Sequence, residues 1–285
     1  MTSGSLTSTS GATPSTDDAA DSALKARHRA LWALGDYPSV AAEVIADLGP
    51  ELVAAAQVSA GDRVLDVAAG TGNAAIPAAR TGAAVTASDL TPELLATGEN
   101  AARAEGLTLD WQEADAEHLP FADATFDVGL SCVGIMFAPH HQAAADELLR
   151  VVRPGGRIAL TSWTPAGFIG RLFTTMKPFA PPPPPGVSPA PLWGDEDHVR
   201  GLFGDRVQDV RADRRRLPVS RFRTPAEFRE FFGTRYGPTI AVYRAQQNDA
   251  ERVALDTALE DLAASDMDAG GAMEWEYLLL TARRA

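Results

Sequence analysis

Val64-Leu65-Asp66-Val67-Ala68-Ala69-Gly70-Thr71-Gly72-Asn73 is the stretch whose reading decides the fold. A short apolar run ends in two glycines and resumes as the alanine-rich Ala74-Ala75-Ile76-Pro77-Ala78-Ala79, the pattern of a buried parallel strand, a tight turn and a packed helix. Gly70 and Gly72 carry no Cβ, so a ligand can lie against the main chain while the free N–H groups of the helix start face it. Many strand–helix joints hold glycines for packing alone, and a lone G-x-G is weak by itself. Asp66 strengthens the ligand reading, because a carboxylate buried near a strand end needs partners and a cationic group beside the turn would be one.

Working outward, Ala84-Val85-Thr86-Ala87-Ser88-Asp89 reads as a second strand ending in an acid, followed by a helix over 92–105 with Thr91 as its N-cap. The separation of Gly72 from Asp89 is close to the ~20 residues at which an acid meets ribose hydroxyls in doubly wound nucleotide folds. The plainer reading of Asp89 is a helix cap. A third strand over 107–113 leads into Ala114-Asp115-Ala116-Glu117-His118-Leu119-Pro120-Phe121, and 126–131 is the fourth strand. The loop from Ser131 to Pro139 leaves that strand's carboxyl end, where ligands of open α/β sheets bind. A helix over 142–152 then meets Arg153-Pro154-Gly155-Gly156 before the fifth strand, 157–163.

The Val-Leu-Asp-Val-Ala-Ala-Gly-Thr-Gly turn, the Asp115 stretch and the Arg-Pro-Gly-Gly joint together resemble the class I S-adenosylmethionine-dependent methyltransferases, and within them the ubiquinone and menaquinone biosynthesis branch. The resemblance is strong over about residues 61–165 and weak in the flanks. It implies an α/β fold with a doubly wound, Rossmann-like seven-stranded sheet whose last strand is antiparallel. It also implies S-adenosylmethionine as cofactor, held by Asp66, Ala68, Gly70, Gly72, Asp89, Leu90, Asp115, Ala116, Tyr37 and Ser131. In that family pattern Asp115 would accept from the adenine amine while the backbone N–H of Ala116 donates to the ring; a surface acid is the alternative. Ala68 stands where the family has a glycine, and its methyl asks for room beside the methionine moiety. A helical segment before such a core commonly folds over the ligand, which makes Tyr37 a candidate cap as well as a packing residue.

The flanks divide into an unstructured tail over 1–24, an N-terminal helical cap over 25–60, the cofactor-binding core over 61–165, a proline-rich connector with a sixth strand over 166–217, a helical lid insertion over 218–272 and a last strand over 273–285. Helices are expected at 224–233 and 238–264, with Phe228, Phe231, Phe232, Tyr236 and Tyr243 forming an aromatic face. The run Pro181 to Pro185 favours a stiff polyproline II spacer. It could instead wall the acceptor pocket with Phe168, Phe173, Met176 and Trp193.

Composition narrows the function. With 285 residues, 45% hydrophobic and 22% charged, the chain can bury a full core, and its net charge of -13 argues against nucleic acid. The single cysteine, Cys132, rules out an internal disulfide and a cysteine-based metal site, which suits a reducing cytoplasm. No metal is expected. No apolar run approaches the ~18 residues of a membrane span, and residues 1–24 lack the pattern of a signal peptide, so a soluble cytoplasmic protein is expected.

Three functions compete. The first is transfer of a methyl group to an oxygen, nitrogen, sulfur or carbon of a small molecule, in secondary or quinone-like metabolism. The second is a nicotinamide oxidoreductase, because Gly70-x-Gly72-x-x-Ala75 also fits the dinucleotide fingerprint with Asp89 as the ribose acid. The third is a protein that binds the cofactor without using its methyl group. For a general base the candidates are His140 and His141, at the carboxyl end of the fourth strand, with His141 preferred; the alternative is that both simply cap the next helix. His28 and His198 fall in flanking helices and His118 in the adenine loop.

Overall fold

The computed structural model describes residues 16–285, and most of the tail expected over 1–24 lies outside that range. A first helix, α1 (Thr16–Trp32), occupies the rest of that tail and runs into α2 (Tyr37–Val44) and α3 (Leu48–Ala55). The break between α1 and α2 follows from Gly35, held at φ +73°, and from Asp36, whose carboxylate accepts from the Ser39 N–H at 3.2 Å and starts α2.

The alternation of strand and helix is then β1 (Arg63–Val67), α4 (Ala75–Arg80), β2 (Ala84–Asp89), α5 (Pro92–Ala104), β3 (Asp110–Glu113), β4 (Phe126–Cys132), α6 (His141–Val151) and β5 (Val152–Trp163). The remainder comprises α7 (Phe168–Met176), α8 (Glu196–Phe203), β6 (Val207–Val219), α9 (Pro225–Arg235), α10 (Gly237–Ala245), α11 (Asp249–Asp266) and β7 (Met273–Arg284). One seven-stranded sheet results, in the order β3-β2-β1-β4-β5-β7-β6. Strands β1 to β5 are parallel neighbours, while β7 runs antiparallel to both β5 and β6. This is the doubly wound sheet with an antiparallel last strand that the resemblance implied. It differs from the dinucleotide fold, whose sixth strand continues the order 3-2-1-4-5-6.

The parallel centre is covered on both faces, which is why its strands read as continuous apolar runs. Val64, Leu65, Val128 and Leu130 are fully buried. Strand order reverses between β1 and β4, and a crevice opens outside their carboxyl ends, at the switch point where such sheets take ligands.

Three boundaries differ from the sequence reading. Strand β3 begins at Asp110 rather than residue 107, and β5 begins at Val152, running through Arg153-Pro154-Gly155-Gly156. The single helix expected over 238–264 is two, because Asn248 accepts from the Glu251 N–H at 3.0 Å and starts α11 afresh. Aromatic packing joins α9 to the sheet: Phe228, Phe232 and Trp275 are buried against one another, and Phe168 stacks on Trp275 with centroids 5.1 Å apart. Among the described residues no helix is long and apolar enough to cross a membrane.

Candidate functional site

A cavity opens at the switch point. The joint after β1 contributes Ala68 and Gly70, the end of β2 contributes Asp89 and Leu90, and the segment after β3 contributes Ala114, Asp115 and Ala116. The loop after β4 adds Val133, Gly134 and Phe137, and Tyr37 closes one side. Seven residues expected to hold the cofactor, Tyr37, Ala68, Gly70, Asp89, Leu90, Asp115 and Ala116, therefore share one wall.

The joint after β1 has the backbone that a close approach requires. Gly70 lies at φ +56°, and a Cβ placed there would stand 3.4 Å from the Tyr37 ring, so the tyrosine packs over the turn. Ala68 adopts φ +54°, a left-handed conformation that costs a non-glycine residue roughly 1–2 kcal/mol. That strain accounts for the glycine favoured at this position. Val133, just past β4, is also left-handed, at φ +45°. For a β-branched residue this is an outlier of the kind that gathers at functional sites.

Asp89 is buried, and its two carboxylate oxygens accept from the Gly70 N–H and the Thr91 N–H, both at 2.8 Å. Burial pushes its carboxyl pKa up, and the backbone N–H groups of Thr91 and Gly70 oppose that shift. It thus ties the turns after β1 and β2 together and stands on the cavity wall, and it does not cap the first turn of α5, whose N-cap residue is Thr91.

Asp115 is held more firmly than expected. Its Oδ2 accepts from Lys25 Nζ of α1 at 2.7 Å and its Oδ1 from the Glu117 N–H at 2.9 Å. Lys25 also pairs with the buried Glu117, whose carboxylate in turn accepts the His140 N–H at 2.7 Å and lies 2.8 Å from His140 Nδ1. Lys25, His28 and Trp32 recur at three- and four-residue spacing, so one face of α1 lies along the cavity. The sequence reading placed a helical segment over the cleft but missed Lys25, His28 and Trp32, since Lys25 meets Asp115 across ninety positions of chain.

Other expected residues stand behind the wall. Asp66 is completely buried and neither carboxylate oxygen completes a hydrogen bond. Burial, with a contribution from Asp89, pushes its pKa up to about 8, against an opposing effect of the Ala75 N–H. Gly72 sits at φ +86°, and a Cβ there would meet the Trp111 ring at 2.9 Å and Ile76 at 3.0 Å. It makes room for packing rather than forming part of the cavity wall. Ser131 donates to the Val67 carbonyl at 2.6 Å and accepts from the Ile135 N–H at 2.8 Å, tying the ends of β1 and β4 together.

The two histidines proposed as bases do not line the cavity. His140 is the N-cap residue of α6 and is engaged with Glu117. His141 is buried, with Nδ1 3.0 Å from His198 Nε2 and its ring against Trp193. Burial first and His198 second pull its pKa down to about 4. Adjacent residues at a helix start point in different directions, and α6 turns His141 inward. The histidine on the cavity wall is His28, whose pKa burial and Lys25 draw below the usual value, leaving a neutral imidazole at pH 7. Phe168 and Trp193 pack in the core, and the proline run forms no part of the wall.

A methyltransferase domain model matches residues 65–160. An uncharacterized protein of Mycobacterium tuberculosis is 52% identical over 265 residues, 93% of this chain and 96% of that protein. The ubiquinone/menaquinone biosynthesis C-methyltransferase of Bartonella tribocorum is 43% identical over 100 residues, 33% of this chain and 38% of its own length. In fold, the chain is similar to the YcgJ protein of Bacillus subtilis, with a TM-score of 0.56 and 17% identity over 82% of this chain and 96% of that one.

Proposed function

The chain belongs to the class I S-adenosylmethionine-dependent methyltransferases, and we propose that the cavity under α1 holds S-adenosylmethionine and that a small-molecule acceptor takes its methyl group. The nicotinamide reading falls with that membership. The single observation carrying the proposal is the convergence of Gly70, Asp89 and Asp115 on one cavity at the switch point of the sheet.

The residues fit the group. Asp89 keeps lone pairs free after accepting from Gly70 and Thr91, enough to receive two vicinal ribose hydroxyls. Asp115 and the N–H of Ala116 suit an aminopurine edge, with Leu90 and Leu94 as apolar walls. Asp66, without a hydrogen-bond partner beneath the turn, holds its proton in the unliganded fold, and a cationic methionine moiety above it would favour its ionised form.

When bound, S-adenosylmethionine supplies an electrophilic methyl on a sulfonium sulfur, which a nucleophilic oxygen, nitrogen, sulfur or carbon displaces in line to leave a neutral thioether. The protein's part is mostly placement. Tyr37 over Gly70 and the cavity face of α1 exclude water and restrict approach, and holding two reactants in line is worth up to ~7–11 kcal/mol of barrier. His28 is the group placed to accept a proton from an oxygen or nitrogen acceptor.

A mass-spectrometric screen of the full chain with deuteromethyl S-adenosylmethionine over small aromatic acceptors tests the reading. Products heavier by one labelled methyl are expected. Cofactor binding without any labelled product would favour the reading in which the cofactor is bound but its methyl is not used.

A further inference from the structure

His28, the group placed to accept a proton, is carried by α1, and two anchors set how that helix is turned. It stands three residues after Lys25 and four before Trp32, so the three side chains form one stripe of the helix, and all line the cavity. Trp32 is the anchor at the carboxyl end. Its ring packs edge-on against Tyr37, Phe137 and Tyr236, with centroids 5.5, 4.6 and 5.9 Å apart. The backbone there also lies close to α10, where a Cβ on Gly237 would stand 2.2 Å from the Leu31 carbonyl oxygen.

The other anchor is ionic. Lys25 is 8% exposed, and its ammonium lies between Asp115 Oδ2, at 2.7 Å, and Glu117 Oε2, with Asp21 Oδ1 at 4.0 Å. Glu117 is itself buried and is held from its far side by the N–H and the ring of His140. The ligand atoms of Asp21, Glu117 and His140 lie within 4.8 Å of one another, a spacing suited to a metal ion, but the Lys25 ammonium already supplies the cation there. Another ion pair of α1, Arg29 with Glu113, is exposed, and pairs of that kind contribute little. A buried ammonium shared by two carboxylates is far harder to release, because removing it strands its partners as uncompensated charges.

We propose that Lys25 is a positioning residue for methyl transfer: clasped by Asp115 and Glu117, it fixes the turn of α1 that presents His28 to the cavity and so ties the proton acceptor to the segment lining the adenine end of the site. The inference rests on the reading of the cavity as the methyl donor's site and of His28 as the proton acceptor. With Lys25 three residues before His28 and Trp32 four after it, the helix can neither roll nor lift at His28 without breaking one anchor. The charge acts on His28 as well. Burial first and Lys25 second draw the imidazole pKa down, joined by Arg27 of the same helix, while Glu117 and the Phe137 backbone oppose the shift.

The test compares Lys25→Met, which keeps an unbranched apolar stem and removes the charge, with Lys25→Arg, which keeps the charge, each in the full chain. Three quantities are read: the titration of His28 by NMR of histidine-labelled protein, with His28→Gln assigning the signal; hydrogen exchange of the α1 amides; and S-adenosylhomocysteine affinity by calorimetry. In Lys25→Met the His28 pKa should rise and the amides over 25–31 should exchange at least about tenfold faster. S-adenosylhomocysteine affinity should stay within about tenfold of wild type, because Gly70 and Asp89 are untouched and Asp115 keeps the Glu117 N–H. Lys25→Arg should resemble wild type in all three. A general collapse of the site would instead cost about 100-fold or more in S-adenosylhomocysteine affinity while His28 shifts. The proposal is overturned by that collapse, by a Lys25→Met protein whose His28 titration and α1 exchange match wild type, or by a Lys25→Arg protein that behaves as Lys25→Met. A wild-type chain that binds no S-adenosylhomocysteine would sink the donor-site reading and this role with it, whereas normal wild-type binding with an unperturbed Lys25→Met would sink the clasp alone.

Discussion

Replacing Asp89 by Ala removes the group that the ribose assignment depends on. In the structure its carboxylate accepts from Gly70 and Thr91 while lining the cavity, so the variant has two effects that must be separated. The first is structural: two backbone N–H groups lose an acceptor, each at a cost of about 1–3 kcal/mol if it stays dry. Loss of a carboxylate whose pKa is already raised by burial offsets part of this, and the Gly70 N–H gains access to water in the cavity, so a folded but less stable protein is expected. The second effect is on ligand. Hydrogen bonds from ribose hydroxyls to a carboxylate contribute about 1.5–3 kcal/mol, which is about 10- to 150-fold in affinity. Calorimetric titration with adenosine and with 2′,3′-dideoxyadenosine isolates that term, because both ligands experience the same distorted turn. The wild-type chain should prefer adenosine by that factor, and Asp89→Ala should bind the two alike. A folded Asp89→Ala protein that still prefers adenosine by the wild-type factor would refute the assignment of the ribose to Asp89.

Three other perturbations have definite signs. Asp66 has a folded pKa of about 8 against an ordinary value near 4, so the native state holds a proton that the unfolded chain releases between those values. Stability should therefore be highest below about pH 4 with respect to this group and fall by up to about 1.4 kcal/mol per pH unit towards pH 8; Asp66→Asn should flatten that slope in urea unfolding, and an unchanged slope would show that Asp66 is not protonated in the fold. His141 has the opposite sign: its pKa of about 4 means that its burial stabilises above about pH 6.5 and that this stability is lost as pH falls towards 4. His141→Leu should make the melting temperature less sensitive to acid across that window while S-adenosylhomocysteine affinity at pH 7 stays unchanged, and loss of that affinity would return His141 to the site. For an oxygen or nitrogen acceptor, His28→Ala should lower kcat about 100-fold or more with cofactor affinity nearly kept and the acidic limb of the rate profile gone, whereas full turnover would leave placement as the whole mechanism.

The strand–turn–helix at Gly70 was legible because local chemistry dictates it: an apolar run buried on both faces, a backbone with positive φ, and Asp89 at the separation where β2 meets the same crevice. The site's second half was not, because it is built by distant contacts. Nothing local in Lys25, His28 or Trp32 tells that these side chains lie against the segment after β3, where Lys25 reaches Asp115. The base assignment failed on a single helical step: the position of His141 in the chain places it at the crevice, but the orientation of α6 turns it towards His198. Gly72 and Ser131 were placed correctly along the chain, yet their surroundings assign them to packing against Trp111 and to the tie between Val67 and Ile135. The start of α11 after Asn248 does have a local signal, the polar run Gln246-Gln247-Asn248-Asp249 with Glu251 three residues beyond the cap, and the sequence reading passed over it.

The central claim is that the cavity of Gly70, Asp89 and Asp115 is an S-adenosylmethionine site, and calorimetric titration of the full chain with S-adenosylhomocysteine and with NADH tests it most directly. Saturable binding of one S-adenosylhomocysteine per chain, abolished or strongly weakened by Gly70→Val, with no heat from NADH, is the predicted result. A cooperatively folded chain that takes up NADH and not S-adenosylhomocysteine, or that binds S-adenosylhomocysteine equally well after Gly70→Val, would contradict it.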